Sequence, residues 1–506
     1  MLNARLRLLH FAMRFNAVRT AAALGLAAAL ALSSAGCDRK PEGVVHVVVI
    51  GDQPQLVDPA KGPLSNGEQV LIDNAAQGLV QFDPRGQIVP GLGETWNVSD
   101  DGLSYIFRLA NGTWPDGRKI TADQVARMLR KLIAPGSRDP LEDAFGSVGD
   151  IVGMTDRVIE IQLKQPRPHL LQLLAQPEMG LVYNHHGTGP FSIDETRSND
   201  GAIRLSREVP TPDEQEATHE QLDLSGASAK AAIGAFAAGR ADLVLGGTFV
   251  DLPLVARNTL PRRALQFDPA SGLFGLVPAR NSGPAANTDI RKLLSQAIDR
   301  DSLISALAVP GLVPRATVLE PGLDNIPDPQ PPQWTSSSLT DRLPDLMSRA
   351  RKLFPEGKPA LIRVALPKGA GADILFSRLA KDWGALGITV ERAGDGAPAD
   401  FTLIDEVAPS SSASWFVRRF RCGSVAVCDP TIDQVLTAAR ATSVLPQRSA
   451  LLLDASRQID SEQLFLPIAA PIRWSLVSER IASFAGNRFA IHTLIGLEQR
   501  LDGSGE

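Results

Sequence analysis

The strongest constraint on the fold is a segment of small residues with helical character that runs directly into an apolar segment. Residues 228–239 (SAKAAIGAFAAG) predict a helix, and residues 241–245 (ADLVL) predict a buried strand after it. Residues 360–366, 372–386 and 388–392 predict a second unit of strand, helix and strand. Because such units bury their apolar faces against one another, the sequence predicts a mixed α/β protein with at least two lobes. Ligands of these folds bind at strand ends or between lobes.

Further elements are predicted by the spacing of apolar residues. The predicted strands are 44–50, 104–109 and 158–163. The predicted helices are 67–84, 121–133 and 293–307, each as one uninterrupted element. These segments continue the α/β pattern on both sides of the first unit.

The first 36 residues are typical of a signal peptide. A leader with four arginines and no acid precedes an apolar run, 20–32, which is short for a membrane span. Small residues then precede Cys37 and resemble the bacterial lipobox, in which the cysteine is lipidated, although Ser34 stands where leucine is usual. We therefore predict a signal peptide over 1–36 and a lipid on Cys37. The alternative is cleavage by the ordinary signal peptidase, which leaves Cys37 as a free thiol.

The predicted mature chain begins with a tether over residues 37–43. In enteric bacteria an aspartate after the lipidated cysteine retains the protein in the inner membrane, so Asp38 favours a periplasmic protein anchored there. Without the first 36 residues, 47 basic and 56 acidic residues remain, a net charge of −9. A chain this acidic has no global attraction for nucleic acid.

Two further cysteines, Cys422 and Cys428, are separated by five residues. An exported protein folds in a compartment that permits disulfides, which favours a bond between these two. A metal pair and two free thiols are the alternatives. A zinc site lacks ligands here, because zinc requires more donors than two thiols provide.

Enzyme signatures are absent from the sequence. It contains no G-x-S-x-G elbow, no H-E-x-x-H and no Walker A motif. The adjacent His185 and His186 would point to opposite faces of a strand, so they do not favour a shared metal. We therefore predict a protein that is not an enzyme and carries no cofactor and no metal.

One stretch carries a resemblance to a known family. Residues 88–109 (IVPGLGETWNVSDDGLSYIFRL) and 112–125 (GTWPDGRKITADQV), preceded by Gly78-Leu79-Val80, are similar to the signature of the peptide/nickel class of ABC-importer solute-binding proteins. This class includes the oligopeptide- and dipeptide-binding proteins. The order and spacing of the motif agree over nearly fifty residues.

Later segments extend the resemblance over nearly the whole mature chain. Residues 187–191 (GTGPF) resemble the GTGPY turn of the family. Residues 231–244 (AAIGAFAAGRADLV) resemble its segment of the form L.aGevD, in which an aspartate follows three residues after a glycine. Residues 289–304 (DIRKLLSQAIDRDSLI) resemble its AIDR helix, and Asp429-Pro430 stands at its late Asp-Pro.

The resemblance implies a two-lobed clamp of the type II periplasmic-binding-protein fold. Lobe I would comprise 44–265 and 475–506, with an extra subdomain at 67–180, and lobe II would comprise 266–474. The hinge would lie near 265–277 and 471–477. Ligand binding would stabilise the closed lobes, and no bond would be made or broken.

The implied function is capture of a peptide or peptide-like solute in the periplasm and its delivery to a permease and its ATPase. The implied protein is a monomer with a lipid anchor and without a nucleic-acid partner. A periplasmic sensor or chaperone-like binding protein is the first alternative, and a periplasmic hydrolase is the second.

Two departures from the family affect the expected ligand. Ala279 stands where the family usually has asparagine, and Ala426 stands where peptide binders carry the aspartate that holds the ligand's ammonium. An ammonium in a closed cleft needs a counter-charge. Either another acid, such as Asp405 or Glu406, substitutes for that aspartate, or the ligand is not a plain peptide.

The resemblance places the cleft wall just before the late Asp-Pro. It implies ligand contacts from Cys422, Gly423 and Ser424, and a Cys422–Cys428 bond would stiffen that wall. Arginines crowd the same segment and indicate either an anionic ligand group or a solvated edge; they are Arg418, Arg419 and Arg421. We expect Arg418 and Arg421 to contact the ligand.

Overall fold

The structure, a computed structural model, describes residues 43–134, 141–194, 201–209, 218–323, 326–354, 360–394, 396–481 and 483–497. The chain divides into two units, Met1–Val44 and Val45–Glu506. The predicted signal peptide and Cys37 lie outside the described residues, as does the predicted tether up to residue 42. All that follows concerns the larger unit, together with the first residue of the first strand.

The described residues form eighteen strands in four sheets. The strands are β1 Val44–Ile50, β2 Val80–Phe82, β3 Ile88–Pro90, β4 Gly93–Val98, β5 Ser104–Leu109, β6 Val148–Thr155, β7 Val158–Leu163, β8 Ser192–Ile193, β9 Ile203–Val209, β10 Thr218–Ala227, β11 Leu243–Thr248, β12 Leu265–Phe267, β13 Gly272–Pro278, β14 Leu361–Ala365, β15 Thr389–Arg392, β16 Phe401–Val407, β17 Leu466–Ala469 and β18 Arg473–Val477.

Twelve α-helices lie in the same described ranges. They are α1 Asn66–Ala75, α2 Ala122–Leu132, α3 Leu170–Leu174, α4 Ala229–Ala237, α5 Leu252–Val255, α6 Thr288–Ala297, α7 Arg300–Leu307, α8 Leu339–Leu353, α9 Ala370–Gly384, α10 Ala413–Arg418, α11 Pro430–Ala441 and α12 Leu445–Glu462. The predicted strands at 44–50, 104–109 and 158–163 are confirmed. The predicted helix at 121–133 is confirmed as α2, for which Thr121 supplies the N-cap.

The larger sheet has seven strands in the order β12-β18-β11-β1-β10-β9-β8. Strand β1 lies parallel to β11, with Val47 opposite Leu243. Its alternate residues enter different hydrophobic clusters: Val47 and Val49 pack into one, and Val48 packs into the other. Both faces of β1 are therefore covered, which explains why six of its seven residues are valine or isoleucine.

The second sheet has five strands in the order β15-β14-β16-β13-β17. Every residue of β13 is buried, because β13 lies between β16 and β17 and pairs antiparallel with both. Strands β14, β15 and the helix between them, α9, confirm the predicted unit at 360–392. A separate four-stranded sheet, β4-β5-β7-β6, packs against α2.

The chain crosses between the two large sheets twice. It leaves the seven-stranded sheet after β12 and enters the five-stranded sheet at β13, and it returns between β17 and β18. The two crossings touch, because the backbone N–H of Asp268 donates to the carbonyl oxygen of Arg473 at 3.0 Å. The Asp268 carboxylate in turn accepts from the backbone N–H of Asn487 at 2.9 Å and lies 3.2 Å from His492 Nε2.

The prediction of one helix over 67–84 is wrong in its second half. Helix α1 ends at Ala75, and the chain continues as β2, which pairs with β3. Gly78 lies between them, where an added Cβ would be 2.9 Å from the carbonyl oxygen of Leu174. The apolar residues after Gly78 are therefore buried in a hairpin rather than on a helix face.

The prediction of one helix over 293–307 is also wrong, because the structure divides this stretch into α6 and α7. Asp299 separates them, and its carboxylate accepts from the backbone N–H of Ser302 at 3.1 Å, which makes it the N-cap of α7. An aspartate that bonds locally to the backbone competes with helix continuation, and here that competition starts a new helix.

Two glycines in the segment 187–191 allow the chain to pack directly on the end of α1. A Cβ at Gly189 would lie 2.4 Å from the carbonyl carbon of Ala75, and one at Gly187 would lie 2.1 Å from its oxygen. The backbone N–H of Gly189 donates to that same oxygen at 3.0 Å. A side chain at either position would force two backbones apart.

We expect Gly189→Ala to lower the free energy of unfolding by about 1–3 kcal/mol, the usual effect of overpacking a close contact. Urea denaturation of the purified chain measures it. Gly234→Ala is the matched control, because Gly234 lies in α4 with no atom within 4 Å of an added Cβ, and it should stabilise slightly. Equal stability of the Gly189→Ala variant and the wild type would contradict the packing argument.

Candidate ligand-binding site

A cavity of about 860 Å³ lies between the two large sheets. Its walls come from β1, β11 and β18 of the seven-stranded sheet and from β16 of the five-stranded sheet. Helices α1, α3, α10 and α12 complete the lining. The volume lies in the range of sites that enclose a small molecule.

Two arginine–carboxylate pairs lie side by side in the cavity lining. Arg473 Nη1 donates to Asp405 Oδ1 at 2.8 Å, which joins β18 to β16. Burial raises the pKa of Asp405, and the guanidinium of Arg473 opposes that rise. The adjacent Glu406 binds Arg419 through two contacts, of 3.0 and 2.5 Å. A ligand ammonium would have to compete with an arginine for either acid.

A second pair of acids lines the cavity on the side of α1. Asp73 is 7% exposed and Glu178 is 9% exposed. Burial, with the neighbouring Glu178 adding to it, raises the pKa of Asp73 to about 7. Burial also raises the pKa of Glu178, which accepts from Gln69 Nε2 at 3.3 Å. These acids were not predicted as site residues. The available signal was Asp73 within the apolar stretch of α1, where a helix facing the core has no ordinary place for a charge.

The structure brings together some of the predicted ligand contacts. Arg418, Arg421 and Ser424 line the cavity, and Arg421 Nε donates to Ser424 Oγ at 3.1 Å. Cys422 and Gly423 are not in the lining. The roles assigned to these five residues stay predictions.

Cys422 and Cys428 form a disulfide, with Cα atoms 5.2 Å apart. The backbone N–H of Cys422 donates to both carboxylate oxygens of Asp433, at 3.0 and 3.1 Å. Asp433 lies in the first turn of α11, so the loop that carries Ser424 is tied to that helix.

Two glutamines connect opposite sides of the cavity rim. Gln176 Nε2 donates to the carbonyl oxygen of Pro409 at 2.7 Å, and Gln172 Oε1 accepts from the backbone N–H of Ser411 at 2.8 Å. The glutamines lie in and just after α3, whereas Pro409 and Ser411 follow β16. These bonds link the side of the small four-stranded sheet to the five-stranded sheet.

Arg167 and Arg448 also line the cavity and were not predicted. Both guanidiniums donate to the carbonyl oxygen of Pro166, at 3.0 and 3.1 Å. The two arginines are nearly three hundred residues apart in sequence, and neither belongs to a recognisable motif. Nothing in the sequence places them together.

Over the ranges that the structure describes, no group of three or more His, Cys, Asp or Glu side chains is arranged to hold a metal ion. In the same ranges, no helix combines the length and apolar character needed to cross a bilayer.

Two α/β sheets joined by two adjacent crossings around a cavity define a two-lobed binding protein of the type II periplasmic class. The family model for "Bacterial extracellular solute-binding proteins, family 5 Middle" matches residues 87–393, more than half of the chain. The chain belongs to this family of extracellular solute-binding proteins. The predicted family and fold class are thereby confirmed.

Individual relatives agree over most of their length. The probable di/tripeptide-binding protein 5 of Pseudomonas aeruginosa (strain UCBPP-PA14) is 22% identical over 478 residues, which cover 81% of this chain and 87% of the relative. The murein tripeptide binding protein MppA of Escherichia coli superposes with a TM-score of 0.75 at 19% identity, covering 90% of this chain and 98% of MppA. Haemophilus influenzae OppA in complex with RPPGFSPFR gives a TM-score of 0.73 at 16% identity, with coverage of 90% and 98%.

We expect Asp73→Asn to stabilise the protein at pH 8 and to have little effect at pH 4. The folded-state pKa of Asp73 is raised, so its contribution to stability is fully present below its ordinary pKa of 3.8 and is lost as the pH rises to about 7. Asparagine does not ionise, so the variant avoids the cost of a charged, buried carboxylate. That cost lowers the free energy of unfolding of the wild type by an amount on the order of 1–3 kcal/mol at high pH. Thermal unfolding of both proteins at each pH measures the difference. Asp156→Asn, at an exposed turn, should show no such pH dependence. If Asp73→Asn melted at a lower temperature than the wild type at pH 8, the raised pKa of Asp73 would be refuted.

Proposed function

We propose that the chain is the solute-binding component of an ABC importer, and that it captures peptides or peptide-like solutes in the periplasm and delivers them to a permease and its ATPase. The observation that carries this proposal is the cavity of about 860 Å³ between the two sheets. The named ligands of its relatives, di- and tripeptides and a murein tripeptide, support the ligand class.

The proposed mechanism is binding followed by closure. Residues 44–265 with 475–506 act as lobe I, including the extra subdomain at 67–180, and residues 266–474 act as lobe II. The crossings at 268–271 and 470–472 are the short connections about which such lobes rotate. A ligand that touches both sheets stabilises the closed form because it binds that form better than the open one. The protein performs no catalysis and requires neither a cofactor nor a metal.

The proposed location is the periplasm, with the mature protein anchored to the inner membrane as a monomer through a lipid on Cys37. A tether keeps the binding protein beside its permease, which raises the effective concentration of each for the other.

We expect the full-length chain, expressed in a bacterial host, to yield a mature form that begins at Cys37, carries a diacylglycerol and remains with the membrane fraction. Intact-mass spectrometry under non-reducing conditions measures the lipid and the Cys422–Cys428 bond together. Cys37→Ala should release the protein from the membrane. A wild-type mass without lipid contradicts the anchor, and two free thiols contradict the disulfide.

Native mass spectrometry of the purified protein, followed by titration calorimetry with di- and tripeptides, tests the ligand class. Peptide should be retained on purification or bind with a raised melting temperature. Catalytic hydrolysis of a substrate by the purified protein, in the absence of peptide binding, would favour the alternative function, a periplasmic hydrolase. Retention of solutes unrelated to peptides would overturn the proposed ligand class.

We expect Gln172→Ala with Gln176→Ala to weaken peptide binding about thirtyfold, because two hydrogen bonds across the rim, each worth about 1 kcal/mol, are lost from the closed form. Calorimetry with the tightest peptide of the panel measures the change. Gln162→Ala is the matched control, since Gln162 is exposed on β7 and its amide bonds to Glu160. Equal affinity of the double variant and the control would show that the rim does not contribute to closure.

A further inference from the structure

The acidic side chains of the ligand cavity differ in what neutralises their charge. Among the described residues four acids line it, and two of them, Asp405 and Glu406, each bind an arginine of the same wall. We call the other two, Asp73 and Glu178, the acid pair. Neither member of the acid pair forms an ion pair with any residue that the structure describes. Negative charge is therefore left without a counter-charge on one side of the cavity.

Helix α1 and the turn beside it bring the acid pair to the cavity. Gln69, Val70 and Asp73 line the cavity, and their spacing of three and four residues places them on one face of α1. Glu178 reaches the same lining from the 3₁₀ turn Pro177–Met179, which packs against α1. Gln69 Nε2 donates to Glu178 Oε1 at 3.3 Å, which links the helix to the turn.

The Asp73 carboxylate is the member of the acid pair that points to a ligand. It is 7% exposed, it lines the cavity, and no described residue donates a hydrogen bond to it. A carboxylate that is taken out of water ordinarily accepts hydrogen bonds or binds a cation, because its charge has lost its hydration. Asp73 has neither, so the group that would satisfy it has to come from the cavity.

The raised pKa values of the acid pair agree with this geometry. Burial and repulsion from Glu178 raise the pKa of Asp73 to about 7, and burial raises the pKa of Glu178. A cation between the two carboxylates would reverse both effects, because it offsets their repulsion and replaces the lost hydration. Its attraction to them would also be stronger in this half-buried place than in water.

The donors and acceptors on this wall suit an ammonium group. An ammonium presents three N–H donors on a compact charge. The two carboxylates and the amide oxygen of Gln69, whose NH₂ group is directed at Glu178, supply acceptors on the same wall. A metal ion fits less well, because the described residues contain no group of three or more His, Cys, Asp or Glu side chains arranged to hold one.

We propose that the acid pair is a subsite for a primary ammonium group of the ligand. Helix α1 packs on the seven-stranded sheet through Leu71 and Ala75, so this group is held from that sheet and not from the strand that carries Asp405 and Glu406. The inference rests on the proposed function, because it assigns one end of the same peptide-like ligand.

Methylammonium chloride tests the subsite without any peptide. Tetramethylammonium chloride at the same concentration is the reference, since it has the same charge but no N–H donor. At pH 8, methylammonium should raise the melting temperature of the wild type by several degrees over the reference. Asp73→Asn and Glu178→Gln, which keep the side-chain shape, should show no such rise.

Asp156→Asn, at an exposed turn, is the matched control and should respond like the wild type. No rise in the wild type, or the same rise in all four proteins, overturns the subsite.

A peptide panel then identifies which ammonium is bound. Calorimetry at neutral pH compares Ala-Ala-Ala, acetyl-Ala-Ala-Ala and acetyl-Ala-Lys-Ala. If the acid pair holds the peptide's own N-terminus, Ala-Ala-Ala should bind the wild type tenfold or more tightly than its acetylated form. If it holds a side-chain ammonium, acetyl-Ala-Lys-Ala should bind tenfold or more tightly than acetyl-Ala-Ala-Ala. Asp73→Asn should abolish the preference that is observed.

The outcomes separate the subsite from the proposed function. Equal affinities for all three peptides, or a preference that survives in Asp73→Asn, contradict the subsite and leave the proposed function intact. Protection by methylammonium without binding of any peptide supports the subsite and contradicts a peptide ligand.

Discussion

The ion pair between Arg473 and Asp405 fixes the relation of the two large sheets. Arg473 begins the strand by which the chain returns to the seven-stranded sheet, and Asp405 lies in the five-stranded sheet, so one 2.8 Å contact spans both. The side chains are 17% and 15% exposed. Taking both charges out of water offsets most of their attraction, whereas removing one partner alone would strand a buried charge, at about 3–5 kcal/mol. The pair therefore specifies geometry more than it adds stability. The geometry it specifies is that of the cavity lining.

The buried charges around the cavity are arranged in two different ways, as oppositely charged pairs and as like charges. Arg473 with Asp405, and Arg419 with Glu406, are matched pairs that cancel locally. Asp73 with Glu178 is instead a like-charge pair. A chain selected for stability alone has no reason to gather like charges in a half-buried cavity. Such groups persist at functional sites, where a ligand supplies what the protein lacks.

The architecture could be predicted from the sequence, and most of the site could not. Motifs such as GTGPF at 187–191 are local, and the structure explains them by the close contact of Gly189 with Ala75. Errors arose where a short-range competitor decided the outcome, as when Asp299 capped a new helix inside an apparently continuous one. Arg167 and Arg448 lay beyond prediction for another reason. They meet only through the tertiary fold, at the carbonyl of Pro166, and the sequence around each is ordinary. Asp73 was within reach, because an acid on the apolar face of a helix is a local anomaly.

The strengths of the individual interactions also bear on how the proposed two-lobed clamp can open. The interactions that join the rim are a few hydrogen bonds, such as Gln176 to Pro409 and Gln172 to Ser411, each worth about 1 kcal/mol net. The sheets themselves are held by large hydrophobic clusters, in which single core side chains contribute about 1.5–3 kcal/mol. Opening at the rim therefore disturbs far less than unfolding either sheet, and in the proposed mechanism the two short crossings are where the backbone changes conformation. A ligand that contacts both walls needs only a few kcal/mol of differential affinity to determine which form dominates.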